Sequence, residues 1–352
     1  MSANPNCLPP SIFPKPGEEV VYFSKNKIIE GKLLGYDIYE KPVVINQFDF
    51  PDSTSSFEII RAKYPNKRIG PNWERLPELG IVEAAHTDLA DMITKKLEER
   101  IPPGPNYMEL IQEFYYRGYE TYLVGGTVRD FIQGEKSNDI DLVTTMPLKW
   151  ALPLIKSMFN DKFSYARQHG YIRIGGTPAS GDPFIDVKNF SLSNAGYGTS
   201  LFGSELADDF KIRDFACNAI YYEPINKLLI DPSGSGICDA RDKKLSIVRD
   251  LSIHAAHYSS AQILVRFMKF AARGYTPTEQ ALVELRANFC PLFSTMDNAS
   301  RIRYVQTQIL SKSPLGQRTL VYENFVQSMI CLGFEYEYQQ FIQPYESYLN
   351  LN

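Results

Sequence analysis

Short apolar runs broken by glycine predict a strand, a helical turn and a second strand in the middle of the chain. Tyr122–Val124 is an apolar run typical of a buried strand. Two glycines interrupt it, and Thr127–Gln133 has the pattern of a helical turn that Gly134 closes. After a polar corner, Asp139–Thr144 alternates polar and apolar residues as a half-buried strand does. The pattern therefore predicts one compact strand-helix-strand unit.

Two aspartates and two glycines give this unit its candidate chemistry. Because residues i and i+2 of a strand share a face, Asp139 and Asp141 project together, and paired carboxylate oxygens suit magnesium better than zinc. Gly125 and Gly126 leave room for phosphate to approach the backbone, and the amides at the start of the following helix favour its negative charge. We therefore predict that magnesium and a nucleoside triphosphate bind in one pocket.

The regions on either side of this unit have different patterns. Residues 17–47 contain short strands rich in β-branched and aromatic residues, which indicates a small SH3-like barrel or another short meander. Apolar residues spaced by four predict a helix over 89–101, and beyond Arg273 the pattern is mostly helical. The predicted fold class is α+β, with a mixed sheet and flanking helices in a head domain. The predicted domains are an all-β SH3-like domain over residues 1–75, a linker helix over 76–105, the head over 106–245, and a helical neck with a short body over 246–352.

Composition restricts the expected location and partners of the chain. At 352 residues with 44% hydrophobic residues, two or three domains with sizeable cores are expected. No apolar run approaches the roughly 18 residues of a membrane helix, and Met1–Pro16 lacks the basic flank and apolar core of a signal peptide. Five cysteines without a Cys-x-x-Cys spacing indicate reduced thiols, so we expect a cytoplasmic protein with no membrane contact. The net charge of −4 gives no general attraction for nucleic acid, so an RNA substrate would need a local basic surface.

The strand-helix-strand residues also resemble a known family. Their sequence is Gly125-Gly126-x-Val128-Arg129-Asp130, then Gly134, then Asp139-x-Asp141-Leu142-Val143-Thr144. It resembles, without insertion or deletion, the head-domain signature of the bacterial poly(A) polymerases and class II CCA-adding tRNA nucleotidyltransferases. Arg213–Ile220 is similar to a second segment of that family, although Ile212 stands where an arginine is usual. Residues 169–187 are similar to a hairpin of the family.

The resemblance implies roles for particular residues. Asp139 and Asp141 would hold catalytic magnesium, and Asp186 would be a further catalytic carboxylate, either binding metal or orienting a neighbour, or else a plain strand-end charge. For Arg213 and Asp214 the alternative is a structural ion pair. The implied nucleotide-binding residues are Gly125, Gly126, Arg129, Asp130, Arg213, Asp214 and Asn218.

One helix departs from the family pattern. In the family, the helix after the head carries Glu-Asp-x-x-Arg, whose side chains hydrogen-bond the edge of the incoming base. The matching positions here are Ser259, Ser260 and Ile263, which cannot make a charged bidentate contact. Arg266, one turn later, is either a partial substitute in nucleotide binding or a packing or salt-bridging residue. We therefore expect that nucleotide selection uses other residues, or is relaxed or lost.

The resemblance implies a magnesium-dependent nucleotidyltransferase that moves a nucleoside monophosphate to an acceptor hydroxyl, expected to be an RNA 3′ end, and releases pyrophosphate. The helical part is shorter than the part with which tRNA-using members measure the acceptor arm, which argues against tRNA. The alternatives are a catalytically reduced nucleotide- or RNA-binding protein, or a transferase acting on a protein or small molecule. His169, His254 and His257 are weaker candidates for chemistry, and the sequence identifies no partner for the N-terminal β domain.

Overall fold

The computed structural model describes the larger part of the chain. His169, His254 and His257 lie outside the described residues. Within the part of the chain that the structure describes, no helix is long and apolar enough to cross a membrane. The described residues are 17, 19–24, 27–36, 42–46, 51–53, 61–62, 80–100, 104–116, 119–137, 139–146, 148–160, 162–166, 170–176, 184–191, 202–203, 206–251, 258–311, 313, 315–349 and 351.

The chain divides into two compact units. Unit 1 comprises Met1–Ile212 and Asn218–Gly234, and unit 2 comprises Arg213–Cys217 and Ser235–Asn352. The finer division into four domains stays a prediction.

Unit 1 is built on one mixed sheet, as the predicted fold class requires. Its main path runs β4-β3-β2-β12-β11-β8-β7-β13-β14-β6, while β1 joins β2, β5 joins β1, β10 joins β11 and β9 joins β10. The strands are β1 Glu19–Ser24, β2 Lys27–Tyr36, β3 Pro42–Asn46, β4 Pro51–Ser53, β5 Arg61–Ala62, β6 Ile81–Ala84, β7 Thr121–Val124, β8 Asp139–Thr144, β9 Phe163–Ala166, β10 Tyr171–Gly175, β11 Phe184–Ser191, β12 Phe202–Gly203, β13 Tyr221–Glu223 and β14 Leu228–Asp231.

The N-terminal strands continue the sheet of the head. The strands predicted within residues 17–47 are β1, β2 and β3, and β2 pairs with β12 through Tyr36 and Phe202. Strand β12 in turn pairs with β11. The sheet is therefore continuous from the N-terminal strands to the strands of the candidate site. An SH3-like barrel in this region stays a prediction.

The register at the centre of the sheet sets which side chains share a face. Strand β8 runs parallel to β11, pairing Asp141 with Asp186 and Asp139 with Phe184. Strand β10 runs antiparallel to β11 and pairs Arg173 with Asp186. Because directly opposed residues project to the same side of a sheet, all five side chains lie on one face.

Five helices flank the sheet in the described part of unit 1. The Oδ1 atom of Asn106 accepts a hydrogen bond from the backbone N–H of Glu109 at 2.8 Å, which caps the second helix. The helical turn predicted after the glycine pair is also present, as α3. These helices are α1 Thr87–Leu97, α2 Tyr107–Tyr116, α3 Gly126–Ile132, α4 Leu148–Phe159 and α5 Leu206–Lys211.

Apolar side chains fill both sides of the central strands. Ile140 and Leu142 are fully buried on the face opposite the aspartates, as the alternation predicts. On the same face as the aspartates, farther along the strands, a second cluster excludes water. Its buried members are Tyr122, Val124, Val143, Phe190, Leu206, Tyr221 and Ile230.

Unit 2 is mainly helical, as predicted for the C-terminal part. The rings of Phe267 and Phe270 pack edge-on against Phe215, with centroids 5.9 Å and 5.3 Å away, and hold α8 in the interior. A π-helical stretch joins α9 to α10. The elements are α6 Gly236–Asp242, β15 Lys244–Leu245, α7 Tyr258–Ala261, α8 Ile263–Ala271, β16 Thr276–Pro277, α9 Glu279–Glu284, α10 Cys290–Thr295, α11 Asn298–Val305, α12 Arg318–Cys331 and α13 Glu335–Phe341.

Candidate active site

The glycine turn lies directly beside the paired aspartates. Gly125 has φ +78°, a conformation that side chains other than glycine rarely adopt, and a Cβ placed there would lie 3.6 Å from Oδ2 of Asp141. The Thr127 hydroxyl donates a 2.7 Å hydrogen bond to the backbone carbonyl of Asp139, which ties the start of α3 to β8. The turn and the carboxylates therefore form one fixed arrangement.

Two basic side chains share this face with the three aspartates. Lys188 Nζ donates to Oδ1 of Asp141 at 2.7 Å. Arg173 donates from Nε and Nη2 to the two oxygens of Asp186, both at 2.7 Å, and its guanidinium lies 4.4 Å from the centre of the Phe184 ring. The hydrogen bond to Asp186 raises the pKa of Arg173. In this structure Asp186 orients Arg173, and a catalytic role of Asp186 stays a prediction.

The sequence interpretation did not single out Lys188 or Arg173. Both follow from alternation and register, because Lys188 lies two residues after Asp186 on β11 and Arg173 lies opposite Asp186 on β10. A polar residue at every second position of adjoining strands was the available signal.

The donor set fits magnesium bound together with a phosphorylated ligand. Among the residues that the structure describes, no group of three or more His, Cys, Asp or Glu side chains has the arrangement of a metal centre. Magnesium commonly uses only one or two carboxylates and completes its shell with substrate phosphates and water. Asp139 and Asp141, both half-buried at the edge of the glycine turn, supply such a pair.

Arg129 lies inside unit 1, against the glycine turn. Its side chain is buried. The Nη1 atom donates to Oδ1 of Asn218 at 2.5 Å, and the Nε atom donates to Oδ1 of Asp130 at 2.9 Å. A Cβ placed at Gly126 would lie 3.3 Å from its Nη2 atom. Through these contacts Arg129 supports the glycine turn. Contact of Arg129, Asp130 or Asn218 with a nucleotide stays a prediction.

In unit 2, Asp214 and Arg266 form an ion pair. Arg266 donates from Nε to Oδ2 of Asp214 at 2.7 Å and from Nη2 to the same oxygen, and the backbone N–H of Phe215 donates to Oδ1 at 2.8 Å. Arg266 Nη1 also donates to Oε1 of Gln308 at 3.0 Å. The salt-bridging interpretation of Arg266 matches this geometry.

A further arginine, Arg249, interacts electrostatically with Asp214, with Arg266 and with Arg213. Burial lowers the pKa of Arg249 to about 10, Asp214 opposes that shift, and the like charges of Arg266 and Arg213 add to it. The Nε atom of Arg249 is buried and has no hydrogen-bond partner among the described residues. We call Arg213, Arg249, Arg266 and Asp214 the arginine cluster.

Two of the three positions predicted to correspond to the base-selecting residues of the family lie in the interior of unit 2. Ser260 and Ile263 are each 0% exposed, and the side chain of Ser259 lies outside the described residues. Ser260 and Ile263 therefore pack in the core.

Comparison with known proteins identifies the segment that contains the glycine turn and the aspartates. Residues 121–246 match the Poly A polymerase head domain family. This segment is similar to a poly A polymerase head domain. The match confirms the resemblance in the stretch that includes Gly125, Asp139, Asp186 and Asp214.

The head domain is also similar to curated and solved proteins. A CCA-adding enzyme of Staphylococcus aureus (strain MRSA252) is 30% identical over 125 residues, which cover 34% of this chain and 29% of that enzyme. One from Geobacillus sp. (strain WCH70) is 29% identical over 199 residues, covering 52% of this chain and 44% of the enzyme. A solved CCA-adding enzyme in its apo form II has a TM-score of 0.52 at 18% identity, covering 72% of this chain and 57% of that one. The chain thus matches less than half the length of these two curated relatives, and the structural likeness concerns the fold.

Proposed function

We propose that this protein is a magnesium-dependent nucleotidyltransferase of the cytoplasm. It moves a nucleoside monophosphate from a nucleoside triphosphate to an acceptor hydroxyl, an RNA 3′ end, and releases pyrophosphate. The observation that carries the proposal is the position of Asp139 and Asp141 on one face of β8, beside a glycine turn whose Gly125 lies against Asp141.

The residues of the head domain have separate tasks in this reaction. Asp139 and Asp141 hold magnesium, which when bound offsets the charge of the triphosphate and favours attack on the α-phosphorus. Gly125 and Gly126 let the phosphates approach the backbone at the start of α3. The hydrogen bond between Arg129 and Asn218 holds the turn in place. Asp186 holds Arg173 on the face where negative charge develops during the reaction.

The relatives support both substrates. The two curated relatives are CCA-adding enzymes by name. A solved CCA-adding enzyme in complex with ATP has a TM-score of 0.50 at 17% identity to this chain. We extend the use of a nucleoside triphosphate and an RNA acceptor from these proteins to the present one.

A nucleotide-binding protein without turnover is the second candidate function. Two basic side chains already bind carboxylates of the site, Lys188 on Asp141 and Arg173 on Asp186. Such ion pairs are what a site that no longer binds metal would also contain. The two candidates differ in whether label is transferred.

The deciding experiment incubates the protein with each α-labelled triphosphate, magnesium and three separate acceptor pools: cellular RNA, protein and metabolites. We expect label in the RNA pool, at 3′ ends, with stoichiometric pyrophosphate. Label in the protein or metabolite pool would replace RNA by another acceptor. Nucleotide binding with no label in any pool would leave the second candidate function.

A further inference from the structure

We propose that Lys188 is an exchangeable cation built into the candidate site. In the nucleotide-free protein it neutralises Asp141, a divalent metal displaces it, and the released ammonium then binds phosphate oxygens of the incoming triphosphate. This inference rests on the proposed function, because it concerns how the same site accepts metal and nucleotide.

The position of Lys188 follows from the sheet. Alternation along β11 puts Lys188 on the same face as Asp186, and the parallel register puts β11 beside β8. Its Nζ atom reaches Oδ1 of Asp141 at 2.7 Å, while Oδ2 of the same carboxylate faces the glycine turn at Gly125. Lysine and the expected phosphate site therefore lie on two sides of one carboxylate.

The two basic residues of this face differ in how readily they can be displaced. Arg173 is held by two hydrogen bonds to Asp186 and by stacking on Phe184, and its side chain is 19% exposed. Lys188 is 38% exposed, and a compact ammonium on a flexible stem can rotate to a new acceptor. Lys188 is thus the group suited to exchange, whereas Arg173 is suited to stay.

Charge makes the exchange selective for a metal that arrives with nucleotide. A divalent cation attracts Asp141 more strongly than a single ammonium does at the same separation. Displacing Lys188 leaves a positive charge beside the metal, which repels a metal bound alone. A triphosphate removes that repulsion by binding both, so metal and nucleotide should bind cooperatively.

The test measures Mn²⁺ binding by electron paramagnetic resonance on the full-length protein and on Lys188→Met, which keeps the stem and removes the charge. Without nucleotide, we expect the variant to bind Mn²⁺ about fivefold more tightly, the scale of a partly exposed ion pair. With Mg²⁺ present, we expect it to bind pyrophosphate about fivefold more weakly by calorimetry. Lys188→Gln, of similar length and polar, should behave in the same way and covers the case that the Met variant folds poorly.

Lys244→Met is the matched control, because Lys244 forms an ion pair with Asp242 at 3.2 Å in unit 2. It should leave both affinities unchanged. Equal Mn²⁺ affinity in wild type and the Lys188 variants would overturn the inference, as would tighter Mn²⁺ binding with unchanged pyrophosphate binding. Transfer that depends on Asp139 and Asp141 without any Lys188 effect would refute this inference alone. The Lys188 effects without any transfer would refute the proposed function alone.

Discussion

The aspartate face of unit 1, formed by Asp139, Asp141, Asp186, Arg173 and Lys188, has opposite net charge to the arginine cluster of unit 2, and its Asp141–Lys188 pair is more exposed than Asp214. On the face, Asp141 and Lys188 pair while 34% and 38% exposed, whereas Asp214 in the cluster is only 8% exposed. Exposed charges remain solvated, so they cost little folding free energy and their positions can serve ligand binding. Buried charges must be paired, so removing one partner leaves an uncompensated charge. We therefore expect substitutions on the aspartate face to change activity, and substitutions in the arginine cluster to change stability.

The largest expected effect is on activity when the aspartate face is neutralised. In Asp139→Asn with Asp141→Asn, transfer should fall by at least about a thousandfold, or about 4 kcal/mol of transition-state stabilisation. The melting temperature should change little, because Asp141 is partly exposed and its ion pair contributes at most about 1 kcal/mol. Single-turnover transfer and thermal unfolding measure the two quantities. Asp242→Asn, which removes an exposed aspartate of unit 2, is the control, and retention of activity in the double variant would move the active site elsewhere.

The next effect is on stability when the arginine cluster loses its carboxylate. Asp214→Ala should lower the free energy of unfolding by about 3 kcal/mol, because Asp214 is buried and its loss would leave the positive charges of Arg266 and Arg249 uncompensated. Denaturant unfolding measures the change. Asp242→Ala removes an exposed partner of Lys244 and should cost less than about 1 kcal/mol. If the two variants were equally stable, the cluster would not be the structural element that its burial implies.

The sequence predicts the aspartate face far better than it predicts the arginine cluster. Local rules suffice for the limits of β8, for those of β7 to within one residue, for the glycine turn and for the shared face of Asp139 and Asp141, since each depends on neighbours in the chain. The contact of Arg129 with Asn218 joins residues 89 positions apart, and that of Arg266 with Asp214 joins residues 52 apart. Such pairs depend on tertiary packing, which periodicity does not encode.

The ion pair between Lys188 and Asp141 across the sheet can be predicted from the sequence only in part. Alternation places Lys188 on the face of Asp186, but only the β8–β11 register brings it to Asp141. Local pattern therefore predicts which face a side chain takes, and strand order decides which partner it finds.

A moderate effect is expected when the glycine turn is strained. Gly125 has φ +78° and ψ −142°, a region nearly restricted to glycine, so Gly125→Ala should cost about 2 kcal/mol and reduce transfer by displacing the turn from Asp141. Gly134→Ala is the matched control, because φ is +73° there and a Cβ meets nothing within 4 Å. It should cost about 1 kcal/mol and leave transfer unchanged. Equal losses of activity in the two variants would mean that the turn has no special relation to the aspartate face.

The smallest expected effect is on the choice of nucleotide. Ser260 and Ile263 are buried, and Arg266 is bound to Asp214 and Gln308, so we expect none of these side chains to select a base. A bidentate charged contact is worth about 1–3 kcal/mol of discrimination, so without it the transfer rates for ATP, CTP, GTP and UTP should lie within about tenfold of one another. Gln308→Ala, which removes one partner of Arg266, tests whether the arginine then contributes, and the four rate ratios should stay the same. A strict order of CTP then ATP, with a CCA product on tRNA, would show that base selection here uses residues of another element and that α8 had been matched to the wrong part of the family pattern.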